Sequence, residues 1–191
     1  MFLCIGCIND KPSTVTCSEL NAWIKDEENG LSISRNIDDL EYSLTFLPSA
    51  LLVLRDGIQP ENTNAWDSAM YSKNDIMCFL LRYRINSSNT DVLKYNLHSE
   101  QEYYSRSNYL SFGLDKDVWL EIDNRKINCA LHQFVPHYGI SPEAEVILTF
   151  PKQSTPFDSN IIVVLNDQLY GAGILKFEFE SSVFNNIPTI Q

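Results

Sequence analysis

The run Leu40-Glu-Tyr-Ser-Leu-Thr-Phe46 alternates apolar and polar residues over seven positions without a break. Successive side chains of an extended chain point to opposite faces, so this run predicts a half-buried strand. Upstream, Leu31-Ser-Ile-Ser34 alternates in the same way, and Asp38-Asp39 between the two runs supplies turn-forming residues. The pair predicts a hairpin. Downstream, Ile76-Met-Cys-Phe-Leu-Leu81 is apolar on both faces before Arg82-Tyr-Arg-Ile85 returns to alternation. Residues 75–85 therefore predict a central strand whose far end reaches solvent.

Further strands are predicted on both sides of this nucleus. Val118-Trp-Leu-Glu-Ile122 and residues 126–134 flank Asp123-Asn124-Arg125, a tight-turn composition, and so predict a second hairpin. Residues 145–150, the β-branched Ile161-Ile-Val-Val-Leu165 and the alternating Ile174-Leu-Lys-Phe-Glu-Phe-Glu180 predict three more strands, and 92–97 could be another. Two helices are predicted from capping boxes. Thr16-x-x-Glu19 opens residues 19–29, with Leu20, Trp23 and Ile24 on one stripe and Gly30 as the stop; Ser99-x-x-Glu102 opens 100–112, stopped by Gly113. Residues 49–55 suggest a short helix or turn, and 65–71 another short helix with Trp66 as a plug against the core. The class expected is α+β and mainly β: about eight strands in a mostly antiparallel sheet or sandwich, with two short helices attached. Residues 1–15 read as a tether, 16–185 as one globular domain and 186–191 as a frayed tail.

Composition limits the function. The 191 residues carry 14 Lys+Arg against 25 Asp+Glu, a formal net charge of −11. Nucleic-acid binding needs a basic stripe that displaces counterions, and no cluster here is denser than Arg82-Tyr-Arg84 or Arg125-Lys126. Nucleic acid is therefore excluded as an expected partner. The longest strongly apolar stretch, 46–54, is about half the ~20 residues of a membrane-spanning helix and contains Pro48. Any membrane attachment must come through a lipid anchor.

The five cysteines, at 4, 7, 17, 78 and 129, do not form the dense, even-numbered pattern of a disulfide framework. Cys78 and Cys129 lie in apolar strand-like runs, where a thiol acts as a small hydrophobe. Cys129-x2-His132-x4-His137 has a superficial metal-ligand spacing but lacks a fourth ligand and a paired cysteine knuckle. If 129 and 132 share one strand they face opposite sides, and the two histidines read as rim residues. There is no nucleophile elbow and no phosphate loop, while the acidic group Asp115, Asp117, Glu121 and Asp123 lacks the glycine and terminal glutamate of a calcium loop. No catalytic, metal or cofactor site is expected. The group that could instead bind a partner is aromatic: Tyr103, Tyr104 and Tyr109 with Arg106, since tyrosine joins apolar area to a polar tip.

The N-terminus is the most informative stretch. Ile5-Gly6-Cys7 fits the last three positions of a bacterial lipobox, in which a small residue precedes a cysteine that becomes lipidated. Cys4 stands where leucine is usual, and the charged and apolar parts of a signal peptide are missing, which an upstream start or a truncation would explain. A short apolar strand over 1–8 is the alternative. Together with Leu20-x-x-Trp23, Glu28-Asn29-Gly30-Leu31, Tyr42-x-x-x-Phe46-Leu47-Pro48 and Phe134-x-x-x-Tyr138-Gly139-x-x-Pro142, this order of features resembles uncharacterised Bacteroidetes-type envelope lipoproteins. The resemblance implies an exported domain, lipid-anchored at Cys7 in the bacterial cell envelope, and transfers no catalytic residue. The expected function is non-enzymatic binding of an envelope protein partner. The alternatives are a soluble, cytoplasmic or secreted acidic recognition domain such as an immunity or adaptor protein, whose charge would steer a basic partner, and an enzyme using Cys129 and His132.

Overall fold

The hairpin forms where its alternation places it. In the computed structural model, which describes residues 12–137, 141–152 and 159–190, β2 (Ser32–Ile37) and β3 (Leu40–Leu47) pair antiparallel with Ile37 opposite Leu40. The turn between them holds Asp38 at φ 52°. Next to β3 lies β4 (Ile76–Ile85), in the register Leu40↔Ile85, Tyr42↔Tyr83, Leu44↔Leu81 and Phe46↔Phe79. Every one of these eight side chains is buried, so the alternation in both strands marks a single inner face. β4 is central as expected, because β8 (Ala144–Pro151) pairs along its other side and carries β7 (Leu131–Val135) on the edge. The five-stranded sheet has the order β2-β3-β4-β8-β7.

A second sheet covers that inner face. Its order is β10-β9-β5-β6, from β5 (Val118–Ile122), β6 (Arg125–Asn128), β9 (Ile161–Asp167) and β10 (Gly173–Phe179). Asp123 and Asn124, both at positive φ, make the two-residue turn between β5 and β6, with Ile122 opposite Arg125. Phe79 of the first sheet meets Phe179 of the second at 5.4 Å between ring centroids. The Tyr42 hydroxyl donates across the same gap to the Asp167 carboxylate at 3.0 Å. That carboxylate also accepts the backbone N–H groups of Leu169, Tyr170 and Ala172, so one buried acid both shapes the loop after β9 and ties the sheets together.

Helices occupy the outside. The capping box at Thr16 is present, with Glu19 returning to the Thr16 N–H at 2.8 Å, and opens α1 (Cys17–Lys25). Leu20 and Ile24 bury its stripe, but the helix ends at Lys25: Asp26 is extended (φ −73°, ψ 114°) and its carboxylate starts a separate 3-10 turn at Glu27–Asn29 before Gly30, so the helix expected over 19–29 is two elements. Gly30 sits at φ 76°, and a Cβ there would lie 2.7 Å from Val183 Cγ1. Gly30→Ala thus combines left-handed strain with overlap and is expected to lower the unfolding free energy by about 1–3 kcal/mol in urea denaturation. A loss below about 0.5 kcal/mol would mean that Val183 moves aside freely. After β3, α2 (Ser49–Arg55) and α3 (Thr63–Ser72) pack on each other, and α4 (Glu100–Phe112) lies against β7.

The class is α+β and mainly β, as expected, but the described residues hold eleven strands and five helices, and four further local expectations change. Residues 92–97 are no strand: the Asp91 carboxylate accepts the Leu93 N–H at 3.0 Å and starts a 3-10 turn at Val92–Lys94, which buries two consecutive apolar residues as a strand would not. The run 126–134 is two strands in different sheets, since Cys129 and Ala130 turn the corner between β6 and β7. Alternation that continues through a corner hides the corner. Of the expected tail, Thr189 and Ile190 are ordered as β11 (Thr189–Ile190), which follows α5 (Ser181–Asn185) at the end of the expected domain. Phe184 anchors α5, 5.0 Å from the Phe46 ring and 6.2 Å from that of Phe179. β11 then pairs in parallel with β1 (Thr14–Val15), so the last two residues assigned to the tether belong to the fold.

Candidate functional site

The nucleophile and metal candidates are dispersed. At the corner between the sheets, the Cys129 thiol donates to the carbonyls of Leu131 at 3.2 Å and Thr149 at 3.6 Å. Burial pushes it up to about 11, so it stays protonated near neutrality. Cys129 lies outside any strand, which removes the opposite-faces argument against a shared site. Geometry replaces it. His132 on β7 points inward with its side chain only 7% exposed, so it is no rim residue; its Nδ1 lies 3.6 Å from Asp115 Oδ1, and its Nε2 has no partner. His137 turns to a different acid, its Nε2 3.3 Å from Glu145 Oε2. Among the described residues no group of three His, Cys, Asp or Glu side chains is arranged to hold a metal ion. Of the expected acidic group, Asp117 is bound internally, accepting the Tyr109 hydroxyl at 3.0 Å and the Asn166 amide at 3.1 Å.

The aromatic group on α4 divides between structure and surface. The Ser99 hydroxyl accepts the Glu102 N–H and starts the helix, and Arg106 and Leu110 then point into the body. Arg106, expected on a partner surface, is buried. Its Nη1 donates to the carbonyls of Leu93 (2.9 Å) and Tyr95 (2.6 Å), its Nη2 donates to Glu102 (2.6 Å), and its guanidinium lies 5.0 Å from the Tyr170 ring centroid. Tyr103 donates to Asp91 at 3.2 Å and Tyr109 to Asp117, so both bind the helix to the domain. Tyr104 alone of the four is exposed, at 57%. Phe112, two turns further along the helix, is exposed at 75%. With Phe134 and His137, Tyr103 and Tyr104 also line a cleft of about 240 Å³.

Two of the larger concavities were not legible in the sequence. One, of about 510 Å³, lies on the outer face of the five-stranded sheet beneath α1 and α2, between Cys17, Leu54, Leu80 and the Arg82–Glu145 ion pair. The other, of about 350 Å³, is strongly apolar and is walled by Phe46, Pro48, Trp66, Met70, Ile187 and Pro188. α3 supplies Trp66 and Met70, four residues apart and hence on one face. None of its residues is buried, so Trp66 is a wall of the pocket and not the core plug expected. The only signals in the sequence were the i, i+4 pair and an Ile-Pro dipeptide near the end, which nothing local joins. Cys7 lies outside the described residues.

No protein-family model matches the chain, and no curated protein matches its sequence. Among solved structures it is similar to a DUF4426 family protein from Pseudomonas aeruginosa PAO1, at 9% sequence identity and a TM-score of 0.40, with 78% of this chain and 91% of that chain covered. A likeness of that degree assigns neither family nor function. No helix among the described residues is long and apolar enough to cross a membrane.

Proposed function

We propose that this chain is a non-enzymatic recognition domain of the bacterial envelope, lipid-anchored at Cys7, that binds a protein partner through the outer face of α4. The observation that carries the reading is the contrast within that helix. Arg106, Tyr103 and Tyr109 spend their polar groups inside the domain and hold α4 rigid, while Tyr104 and Phe112 stand in solvent. Large aromatic side chains on a rigid element lose little entropy on binding and suit a contact surface. The protonated Cys129 and the separate carboxylates beside His132 and His137 support a non-enzymatic role. The anchor itself is supported by Ile5-Gly6-Cys7.

Expression from the native gene with its upstream nucleotides, followed by mass spectrometry of the N-terminal peptide, tests the anchor. A diacylglyceryl-modified Cys7 in the membrane fraction is expected; an unmodified chain beginning at Met1 in the soluble fraction would favour the acidic adaptor or immunity reading. In-cell crosslinking tests the face. Tyr104→Ala together with Phe112→Ala is expected to reduce the partner adduct at least about tenfold, as loss of a central aromatic contact does. An unchanged adduct would remove α4 from the interface.

A further inference from the structure

We propose that the apolar pocket between α2, α3 and β11 rests on the surface of the bilayer that holds the lipid anchor, with Trp66, Met70 and Tyr71 entering its interfacial layer. The proposal rests on the anchored reading above.

Three observations lead to it. First, α3 repeats Ala65, Trp66, Ala69 and Met70 along one face yet leaves all four only half-buried, and Tyr71, next in sequence, is 79% exposed. An amphipathic helix gains stability by covering its apolar face, so this one has apolar area left over. Second, the pocket stands beside β1, the first described strand. Thr189 and Ile190 line it and pair with Thr14 and Val15. Thr14 follows Cys7 by seven positions, and seven steps of chain reach at most about 25 Å when fully extended. A lipid on Cys7 therefore holds this end of the domain within that distance of the membrane. Third, the net charge of −11 opposes attraction to an anionic surface. A single lysine, Lys152, is among the residues lining the pocket, and Lys73 at the end of α3 is engaged with Asp56 at 3.0 Å. Contact must then come from apolar and aromatic area, and Trp and Tyr are the side chains that settle at the headgroup level. The occupant is a lipid surface, and zwitterionic headgroups suffice.

The test recruits the full chain without relying on Cys7. An N-terminal hexahistidine tag holds it on phosphatidylcholine vesicles that contain a nickel-chelating lipid and acyl chains brominated near the headgroup. Trp23→Phe with Trp119→Phe leaves Trp66 as the sole emitter, and Trp23→Phe with Trp66→Phe leaves Trp119, on the outer face of the other sheet, as the reference. Trp66 is expected to be quenched at least about threefold more than Trp119, with little change between low and high salt, and Met70→Glu to abolish the difference. Equal quenching of the two tryptophans would overturn the proposal. So would a doubled mass in solution that depends on Trp66, because a second copy would then cover the pocket. Should the phenylalanine variants misfold, hydrogen exchange on the unsubstituted chain decides: slower exchange over residues 63–72 on vesicles supports docking, and unchanged exchange refutes it. Because recruitment is through the tag, an unlipidated Cys7 found by mass spectrometry would count against the anchor alone.

Discussion

Replacing Arg106 by methionine is expected to lower the unfolding free energy by about 3–5 kcal/mol, enough to bring a domain of ordinary stability close to its threshold. Methionine keeps much of the apolar stem, so packing changes little and the loss isolates the guanidinium. Two buried carbonyls, those of Leu93 and Tyr95, would lose their donor, and a buried acceptor left unsatisfied costs about 1–3 kcal/mol. The cation above the Tyr170 ring is lost with it. Tyr170 in turn donates to the Val92 carbonyl at 2.9 Å, so the 3-10 turn at 92–94, α4 and the loop after β9 share this one centre. Arg106→Lys should recover only part of the loss, since an ammonium group cannot present the planar fork that reaches both carbonyls and Glu102. Urea denaturation followed by circular dichroism, with two-state behaviour checked by tryptophan fluorescence, measures it. A loss below about 1 kcal/mol for Arg106→Met would show that water replaces the guanidinium.

Alkaline pH is expected to unfold the protein well before it would unfold a domain without buried hydroxyls. Burial raises Tyr83, and the Asp167 charge adds to it. Burial also raises Tyr42, again helped by Asp167, and Tyr109, where the bond to Asp117 adds. Tyr170 is raised by burial as well, with Arg106 acting in the opposite direction. Cys129 is pushed up to about 11 and Cys78 is raised, both by burial. All six are acids that ionise more readily in the unfolded chain. Below their unfolded pKa values both states are protonated and the full stability is present. As pH rises past about 8.5 for the thiols and about 10 for the tyrosines, only the unfolded state releases protons. Each unit of separation then withdraws about 1.4 kcal/mol per group before solvent access reduces it. The urea midpoint is therefore expected to be level from about pH 6 to 8.5 and to fall steeply above about pH 9. Absorbance at 295 nm gives a second view of the nine tyrosines: Tyr42 and Tyr83, which are buried, should ionise only as the fold is lost. A single reversible step near pH 10 for all of them, at constant stability, would contradict the burial of Tyr42 and Tyr83.

The sheet pattern was readable because burial of one face imprints a period of two on the strand. Leu40, Tyr42, Leu44 and Phe46 show it in one strand, and Met77, Phe79, Leu81 and Tyr83 in its neighbour. Capping is equally local: Thr16 started its helix with the full box, and the Ser99 hydroxyl started the other, with the Glu102 carboxylate accepting the His98 N–H in place of that of Ser99. The candidate site was far less legible. Tyr103, Tyr104, Arg106 and Tyr109 lie within seven positions of one helix, yet which of them faces inward depends on Leu93, Tyr95 and Asp117 from other segments. A composition argument treats arginine as a surface residue; two carbonyls left by a 3-10 turn made this one a buried tie.

By itself the sequence determined the class, the central hairpin and the two capped helices, because each follows from neighbours along the chain. Only the tertiary structure decided that residues 126–134 divide between two sheets, that Arg106 is buried, that Thr189 and Ile190 pair with Thr14 and Val15, and that Trp66 and Met70 wall a pocket beside the point where β1 meets β11. These depend on residues far apart in the chain. Periodicity shows which side of an element is buried, but the partner it is buried against is chosen when the whole chain closes its core.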